Sequence, residues 1–295
     1  MKLRVFLLWT LVSAPLSAAE VNDALGRPVV LSEPARRIVS LAPHATELLF
    51  AAGAGERVVG VVERSDYPPE ARDLPRIGNY TRLDLEAILA LKPDLVVAWH
   101  GGNSPDTLSR LQALGLTLYL TETGGLSGIP RDIRALGDLL GTQRTANQAA
   151  RHFEDELAAL RQKYREQRPV RVFYQIWTSP LMTLNGKTMV SEVISLCGGV
   201  NIFDDEPILA PSVDIESVLQ RRPQAIIASG MAAERPEWLQ AWRDWDKLPA
   251  VRYNALYHIH PDLIQRQGPR ILEGAKIMCA NLSETRRKMN EEGNP

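Results

Sequence analysis

"DLEAILALKPDLVVA" (Asp84 to Ala98) is a stretch that this chain of 295 residues builds twice. At an offset of 130 residues the sequence reads "DIESVLQRRPQAIIA" (Asp214 to Ala228). Each copy has an acidic residue, apolar residues at helical spacing, a proline and then a β-branched run. This order predicts a short helix that ends at the proline and is followed by a buried strand, once in each half of the chain.

The sequence on either side of both copies continues the same alternation. Apolar strands such as "RVVGVV" (57–62) and "VRVFYQI" (170–176) are separated by helical segments of about ten residues. Such an alternation predicts a parallel sheet with helices on both faces. We therefore predict an α/β fold of two Rossmann-like lobes, at 20–142 and 169–295.

The segment between the lobes, 143–168, predicts one long rigid helix. It contains neither glycine nor proline, and its apolar residues recur at spacings of three and four. A coiled-coil dimer is the alternative, but the stripe has fewer than three clean heptads, so we expect a monomer. Because ligands in open α/β sheets bind beyond the carboxyl ends of the strands, a ligand cleft between the lobes is expected.

The first nineteen residues have the pattern of a secretory leader. Lys2 and Arg4 precede the apolar run "VFLLWTLV" (5–12), and small residues end the segment at Ala19. We expect cleavage near Ala19 and an exported product without a transmembrane helix. The chain has 34 basic and 35 acidic residues, two of the basic ones in the leader, so no broad positive field for nucleic acid is expected.

The cysteine count fits an exported protein. Cys197 and Cys279 are the two cysteines, and in an oxidising compartment an even count predicts a disulfide. Two buried free thiols are the alternative.

Motifs of enzymatic chemistry are missing from the sequence. It has no GxSxG, GxxxxGK[ST], HExxH or CxxC pattern. Asp66 beside Tyr67, and the pair Asp204 and Asp205, could form a carboxylate site, but acidic residues are also common in turns. We expect a binding protein, not an enzyme.

Several longer motifs carry a resemblance to a known family. They are "RIVSLAPHATELLFAAG" (37–53), "SDYPPEA" (65–71), "LEAILALKPDLVVAWHGGN" (85–103), "CGGVNIF" (197–203) and "GPRILEGAKIMC" (268–279). Over nearly the whole exported part, the chain resembles the class III periplasmic binding proteins of ABC importers. The resemblance implies two lobes bridged by a rigid helix and a bound cobalamin, haem, siderophore or metal ion. Its most specific motifs point to cobalamin, which would be a transported ligand and not a cofactor.

The resemblance also implies a partner, the permease dimer of an ABC importer in the inner membrane. One surface glutamate on each lobe docks onto basic pockets of the two permease subunits, and by position these are Glu86 and Glu216. The repeated glutamate then serves a two-fold symmetric partner. The alternative is that both residues are merely favoured by the helix dipole in a first turn.

By position, the resemblance assigns the ligand contacts to ten residues. They are Arg64, Tyr80, Trp99, His100, Trp177, Asp262, Leu263, Ile264, Gln265 and Arg266. An alternative for Trp99 is that its ring fills the core of its lobe.

The chain departs from the cobalamin-binding members at several of these positions. Arg64 and Ala210 stand where those members have aromatic residues, and Tyr80 stands where they have tryptophan. Ile176 replaces a phenylalanine, although Trp177 follows it directly. The loop 262–266 keeps its aspartate and arginine but has no aromatic residue. These departures leave the ligand open.

Three alternatives for the ligand follow. Haem would use Tyr80 as an axial ligand, although the ligating tyrosine of haem-binding relatives falls one place earlier, at Asn79. A ferric siderophore would need more basic residues in the cleft. A transition metal would need His44, His100 and His260 to converge with Asp262, and we expect no metal site.

Overall fold

The computed structural model describes residues 19–122, 124–230 and 237–292. The predicted leader lies outside these ranges apart from Ala19, which begins the first strand. Within the described ranges, no helix combines the length and the apolar character that crossing a membrane requires.

The N-terminal lobe is built on a four-stranded parallel sheet. An antiparallel hairpin precedes the sheet, which has the order β4-β3-β5-β6. The strands are β1 (Ala19–Asn22), β2 (Pro28–Leu31), β3 (Ile38–Ser40), β4 (Val58–Val61), β5 (Leu95–Trp99) and β6 (Leu118–Thr121). The helices are α1 (Pro43–Ala51), α2 (Leu85–Ala90), α3 (Pro105–Ala113) and α4 (Gly128–Leu140), with 3-10 turns at Gly55–Arg57 and Pro69–Asp73.

The C-terminal lobe repeats this topology in its main sheet, which has the order β10-β7-β11-β12. Its strands are β7 (Val170–Gln175), β8 (Trp177–Thr178), β9 (Leu181–Met182), β10 (Gly199–Asn201), β11 (Ala225–Ala228) and β12 (Leu256–His258). Its helices are α6 (Met189–Leu196), α7 (Ile215–Arg221), α8 (Pro249–Arg252), α9 (Pro261–Ile264) and α10 (Ile271–Glu292), with a 3-10 helix at Glu237–Asp244. In each lobe the second strand of the main sheet lies at one edge and the first lies beside it.

The duplicated sequence forms the same unit in both lobes. Asp84 caps α2 and Asp214 caps α7, each accepting a backbone N–H three residues on, at 2.9 and 2.6 Å. Ile88 and Val218, again 130 residues apart, are fully buried and cover the outer faces of the two sheets. The predicted helix-turn-strand repeat is therefore confirmed.

A second pair of contacts locks each copy to its sheet. Arg37 and Arg171, in the first strand regions of the two main sheets, donate Nε–H to a carbonyl at the end of the neighbouring helix, at 2.8 and 3.1 Å. The side chains of Asp94 and Gln224 accept the backbone N–H of these arginines, both at 3.0 Å. The two copies thus use equivalent hydrogen bonds to attach the helix end to the strand, although Asp94 in one copy corresponds to Gln224 in the other.

The helix between the lobes, α5, spans Gln143–Tyr164. It ends before the predicted limit at residue 168, because the chain turns at 165–167, where the Gln167 N–H donates to the Tyr164 carbonyl at 3.2 Å. At 1.5 Å per residue it is about 33 Å long. Its apolar stripe, including Phe153 and Leu157, is buried within the chain, so it is not available to a coiled-coil partner.

One apolar core is continuous from the N-terminal lobe through α5 into the C-terminal lobe. It joins Leu48 of α1 and Leu136 of α4 to Tyr174 of β7 and Leu272 of α10. On the N-terminal side the packing is tight, since a Cβ on Gly137 would lie 2.2 Å from the Cβ of Ala146. Because both lobes pack on one stiff helix, their relative positions are set by apolar burial as well as by chain connection.

An ionic cluster closes the junction on the side of the cleft. We call it the inter-lobe cluster: Glu47 and Asp66 of the N-terminal lobe, and Asp262, Arg266 and Arg270 of the C-terminal lobe. Arg270 contacts Glu47 at 2.6 Å, and Arg266 contacts Asp66 at 2.9 Å and Asp262 at 2.8 Å. The side chain of Glu47 is 2% exposed. Burial raises the pKa of Glu47 even against the two arginines, whose charges oppose that rise.

The disulfide joins two parts of the C-terminal lobe. Cys197 follows α6 and is bonded to Cys279 in the middle of α10, so the bond does not cross the cleft. Beside it, the Arg286 guanidinium donates to the carbonyl oxygens of Cys197 and Gly198 at 2.7 and 2.9 Å. The predicted pairing is confirmed, and the disulfide and the Arg286 hydrogen bonds together fasten α10 to its own lobe.

We predict that the double change Cys197→Ala and Cys279→Ala lowers the free energy of unfolding by about 4 kcal/mol. The bond closes a loop with a sequence separation of 82 residues, and in the chain-entropy model such a loop is worth about 4–5 kcal/mol. Urea unfolding of the oxidised parent and the variant measures the difference. Reduced parent should unfold like the variant; equal midpoints for oxidised parent and variant would contradict the prediction.

We also predict that Glu47→Ala destabilises the protein by about 3–5 kcal/mol, because it leaves Arg270 half-buried without its carboxylate. The matched control is Glu154→Ala, which breaks a pair with Arg134 at 2.6 Å in which Glu154 is 45% exposed. That change should cost about 1 kcal/mol or less. Equal losses in urea unfolding would show that the inter-lobe cluster contributes no more than a surface pair.

Candidate ligand-binding site

A cavity of about 180 Å³ lies between the lobes at the carboxyl ends of the strands. Segments that follow β3, β4, β5 and β12 bring its walls together. Six of the predicted ligand contacts line it: Arg64, Tyr80, Trp99, Asp262, Gln265 and Arg266. Pro43, His44 and Gln267 also line it and were not among the predicted contacts.

The other four predicted residues lie elsewhere. His100 is exposed beside the cavity, and Trp177 is 40% exposed in β8, where its Nε1–H donates to the Ser179 carbonyl at 3.0 Å. Leu263 is half-buried. Ile264 is fully buried in the core that joins the lobes. The short helix α9 turns this one side chain inward, away from the cavity.

Trp99 is fixed in place by its neighbours. A Cβ on Gly102 would lie 1.9 Å from the Trp99 ring, so the tryptophan packs flat on a backbone that only glycine allows. The His44 ring meets it edge-on at 5.3 Å, and the Tyr80 ring lies 6.0 Å away. Burial lowers the pKa of His44 to about 4, so at neutral pH it is an uncharged support, with its Nε2 3.0 Å from the Thr121 hydroxyl.

A single amide ties the two aromatic residues together. The buried side chain of Asn103 accepts the backbone N–H of Trp99 at 2.7 Å and donates to the carbonyls of Tyr80 at 2.7 Å and Leu41 at 3.0 Å. This explains the asparagine of "HGGN". These hydrogen bonds therefore fix the Tyr80 loop relative to the end of β5.

The polar side of the cavity belongs to the C-terminal lobe. Arg266 lines it and is also the centre of the inter-lobe cluster, since it contacts Glu47, Asp66 and Asp262. Burial alone would raise the pKa of Asp66, but the hydrogen bond and charge of Arg266 hold that pKa below its ordinary value. The charge of Arg266 is thus compensated by carboxylates of the protein itself.

Asp66 and the pair Asp204 and Asp205 were interpreted as turn-forming acids. Asp66 is instead a partner of Arg266 across the lobes. Asp204 and Asp205 do lie in a turn, and Asp205 also pairs with Arg221 at 2.7 Å. The prediction missed Glu47 and Arg270 altogether. The signal for Glu47 is a lone acidic residue in the apolar helix segment "ATELLF", where an unpaired charge would be costly to bury.

A larger cavity of about 430 Å³ lies behind the cluster, against α5. Glu47 and Arg270 line it, whereas Arg266 and Asp262 line the cleft cavity, so the inter-lobe cluster separates the two. None of the ten predicted contacts borders it. We place the candidate site in the cleft, at the carboxyl ends of the strands, where the aromatic and polar groups converge.

The histidines do not form a metal centre in the described part of the chain. There, no three histidine, cysteine, aspartate or glutamate side chains are grouped so that they could hold a metal ion. His44 is buried against Thr121, and His260 caps α9 by accepting the Asp262 N–H at 3.2 Å.

Comparisons with known proteins agree with this architecture. The sequence profile of the periplasmic binding protein family matches residues 38–263. The vitamin B12-binding protein of Vibrio cholerae serotype O1 is 42% identical over 249 residues, covering 84% of this chain and 90% of that protein.

Solved structures give the same picture. The periplasmic vitamin B12 binding protein BtuF of Vibrio cholerae matches with a TM-score of 0.78 and 41% identity, covering 86% of this chain and 98% of that one. The periplasmic heme-binding protein RhuT from Roseiflexus sp. RS-1, in its apo form, matches with a TM-score of 0.75 and 28% identity, covering 85% and 99%. With its two lobes, its single connecting helix and these matches, the chain belongs to the periplasmic binding protein family.

Proposed function

We propose that this protein captures cobalamin or a related corrinoid in the periplasm and delivers it to an ABC importer. The observation that carries the proposal is the paired aromatic wall of Tyr80 and Trp99, which faces the polar loop of Asp262, Gln265 and Arg266 across one cavity. Relatives with about 40% identity that are named vitamin B12-binding proteins support it.

The chemistry of a corrinoid suits this arrangement. A macrocycle offers a broad face that rigid aromatic side chains can cover, and its peripheral amides can exchange hydrogen bonds with a polar loop. A cavity of about 180 Å³ is smaller than the roughly 300–1,000 Å³ of an ordinary ligand pocket, so it would enclose only part of the ligand. The rest would lie in the open cleft between the lobes.

Haem is the second candidate, because one residue favours it. Tyr80 is 42% exposed and lines the cavity, where its hydroxyl could approach an iron. Against haem, Arg266 is already engaged by three carboxylates, which leaves fewer free cations for the acidic groups of that ligand. A siderophore meets the same objection.

Delivery to the importer would use Glu86 and Glu216. Both are exposed in the first turn of matching helices, one on each lobe. We propose that a monomer presents them to the two subunits of a permease dimer. Since α5 contains no glycine or proline, lobe closure should be small, and docking would rely on surface charges present with and without ligand.

We predict that the protein binds one cobalamin per chain and that Trp99→Ala weakens binding by about 2 kcal/mol, the loss expected for an aromatic anchor. The control is Trp245→Ala, which removes an exposed tryptophan outside the cavity. Titration calorimetry with cobalamin, and then with haem, measures both. Tight haem binding with no heat from cobalamin would favour the Tyr80 alternative.

We predict that Glu86→Ala and Glu216→Ala each leave cobalamin affinity unchanged and lower its uptake, with a larger loss in the double variant. Truncating one partner of an ion pair desolvated at an interface costs about 2–5 kcal/mol. Asp106→Ala is the control, since Asp106 is also exposed in the first turn of a helix. Uptake is measured in vesicles that contain a cognate permease. If both variants support uptake at the parental rate, the two glutamates do not dock to the permease and are favoured only by the helix dipole.

A further inference from the structure

Arg64 has an uncommon backbone conformation at the edge of the cavity. Its φ is 63°, in the left-handed region that favours glycine and is unfavourable for a bulky L-residue. Hydrogen bonds fix the backbone on both sides, with Glu63 N–H donating to Gly78 at 2.8 Å and Ser65 N–H donating to Val62 at 3.3 Å. An arginine is therefore held at a turn tip where glycine, which has no Cβ, would be unstrained.

The guanidinium of Arg64 has no carboxylate partner among the described residues. Its side chain is exposed and lines the cavity, yet across residues 19–122, 124–230 and 237–292 no carboxylate forms an ion pair with it. The other two arginines at the junction are compensated, Arg266 by three carboxylates and Arg270 by Glu47. His44 adds no charge at neutral pH, because burial lowers its pKa to about 4.

A free cation at this position suits a ligand that carries one anionic group beside an otherwise uncharged periphery. The amide side chains of a corrinoid are neutral, and the phosphodiester of its nucleotide loop is its one peripheral anion. A guanidinium presents a planar fork of donors that fits two phosphate oxygens at once. Strain in a cavity-lining residue is also a common mark of a functional role.

We propose that Arg64 binds the phosphodiester of the nucleotide loop and so selects complete corrinoids over cobinamide, which lacks that loop. The inference rests on the proposed function and adds a specificity-determining residue to it. Arg64 would form an ion pair with the phosphodiester, which only cobalamin has. The aromatic wall of Tyr80 and Trp99 would contact the macrocycle, which cobalamin and cobinamide share.

The test is titration calorimetry of the parent, Arg64→Gln and Arg64→Lys with cobalamin and with cobinamide. The parent should prefer cobalamin. Arg64→Gln should weaken cobalamin binding by about tenfold, an effect of one charge-assisted contact, and leave cobinamide binding unchanged. Arg64→Lys should recover part of the loss. Added salt should narrow the preference of the parent and leave that of Arg64→Gln nearly constant, because salt screens an accessible ion pair.

Two further variants separate recognition from structure. Arg110→Gln removes an exposed arginine of the same lobe outside the cavity and should change neither affinity. Arg64→Gly should abolish the preference for cobalamin without lowering the thermal unfolding midpoint, because glycine adopts the left-handed conformation freely. If Arg64→Gly lowers the unfolding midpoint but still prefers cobalamin over cobinamide as strongly as the parent does, Arg64 has a structural role and the proposal is overturned.

If Arg64→Gln weakens both ligands equally, or neither, the proposal for Arg64 is wrong and the proposed function stands. If the parent binds neither cobalamin nor cobinamide, the proposed function fails and the proposal for Arg64 fails with it.

Discussion

The buried carboxylate of Glu47, held between two arginines of the other lobe, is the interaction on which the cleft depends. It fixes the loop that carries Arg266 and Asp262 against the N-terminal lobe, and that loop is the polar wall of the cavity. A buried ion pair adds little net stability over apolar packing, but it strongly penalises any arrangement that separates its charges. The cluster therefore favours one relative position of the lobes over its alternatives.

The apolar core and the ionic cluster act on the same junction in different ways. The core that runs along α5 supplies non-directional burial, which would tolerate small shifts of one lobe on the other. The cluster is directional, since Arg266 must meet carboxylates from both lobes at hydrogen-bond distance. Together they account for a cleft whose aromatic wall and polar wall face each other across one cavity.

Periodicity and the repeat predicted the two sheets and the helix between them, because these features depend on local patterns. The disulfide was predicted separately, from the even cysteine count of an exported chain. The same reasoning missed the β8–β9 hairpin, whose two-residue strands are shorter than any periodic signal. The resemblance, taken position by position, counted Ile264 among the ligand contacts; position alone does not predict its burial, since the inward turn of one residue in a four-residue helix is decided by tertiary packing. Glu47 was missed for a related reason: a buried charge is explained only by partners more than 200 positions away.

Because the chain passes from one lobe to the other only once, through α5, the two lobes can fold in order along the chain. All strands of the first sheet lie before residue 122, and all strands of the second lie after residue 169. Neither sheet therefore needs a strand from the other half of the chain in order to form. As the polypeptide emerges from its amino end, the first lobe has all its strands before the second begins. The disulfide must form late, because Cys279 is in the last helix. The chain has only two cysteines, so only one intramolecular disulfide can form. Oxidation then links two parts of a lobe whose strands have all been synthesised, and no mispaired disulfide can form within the chain.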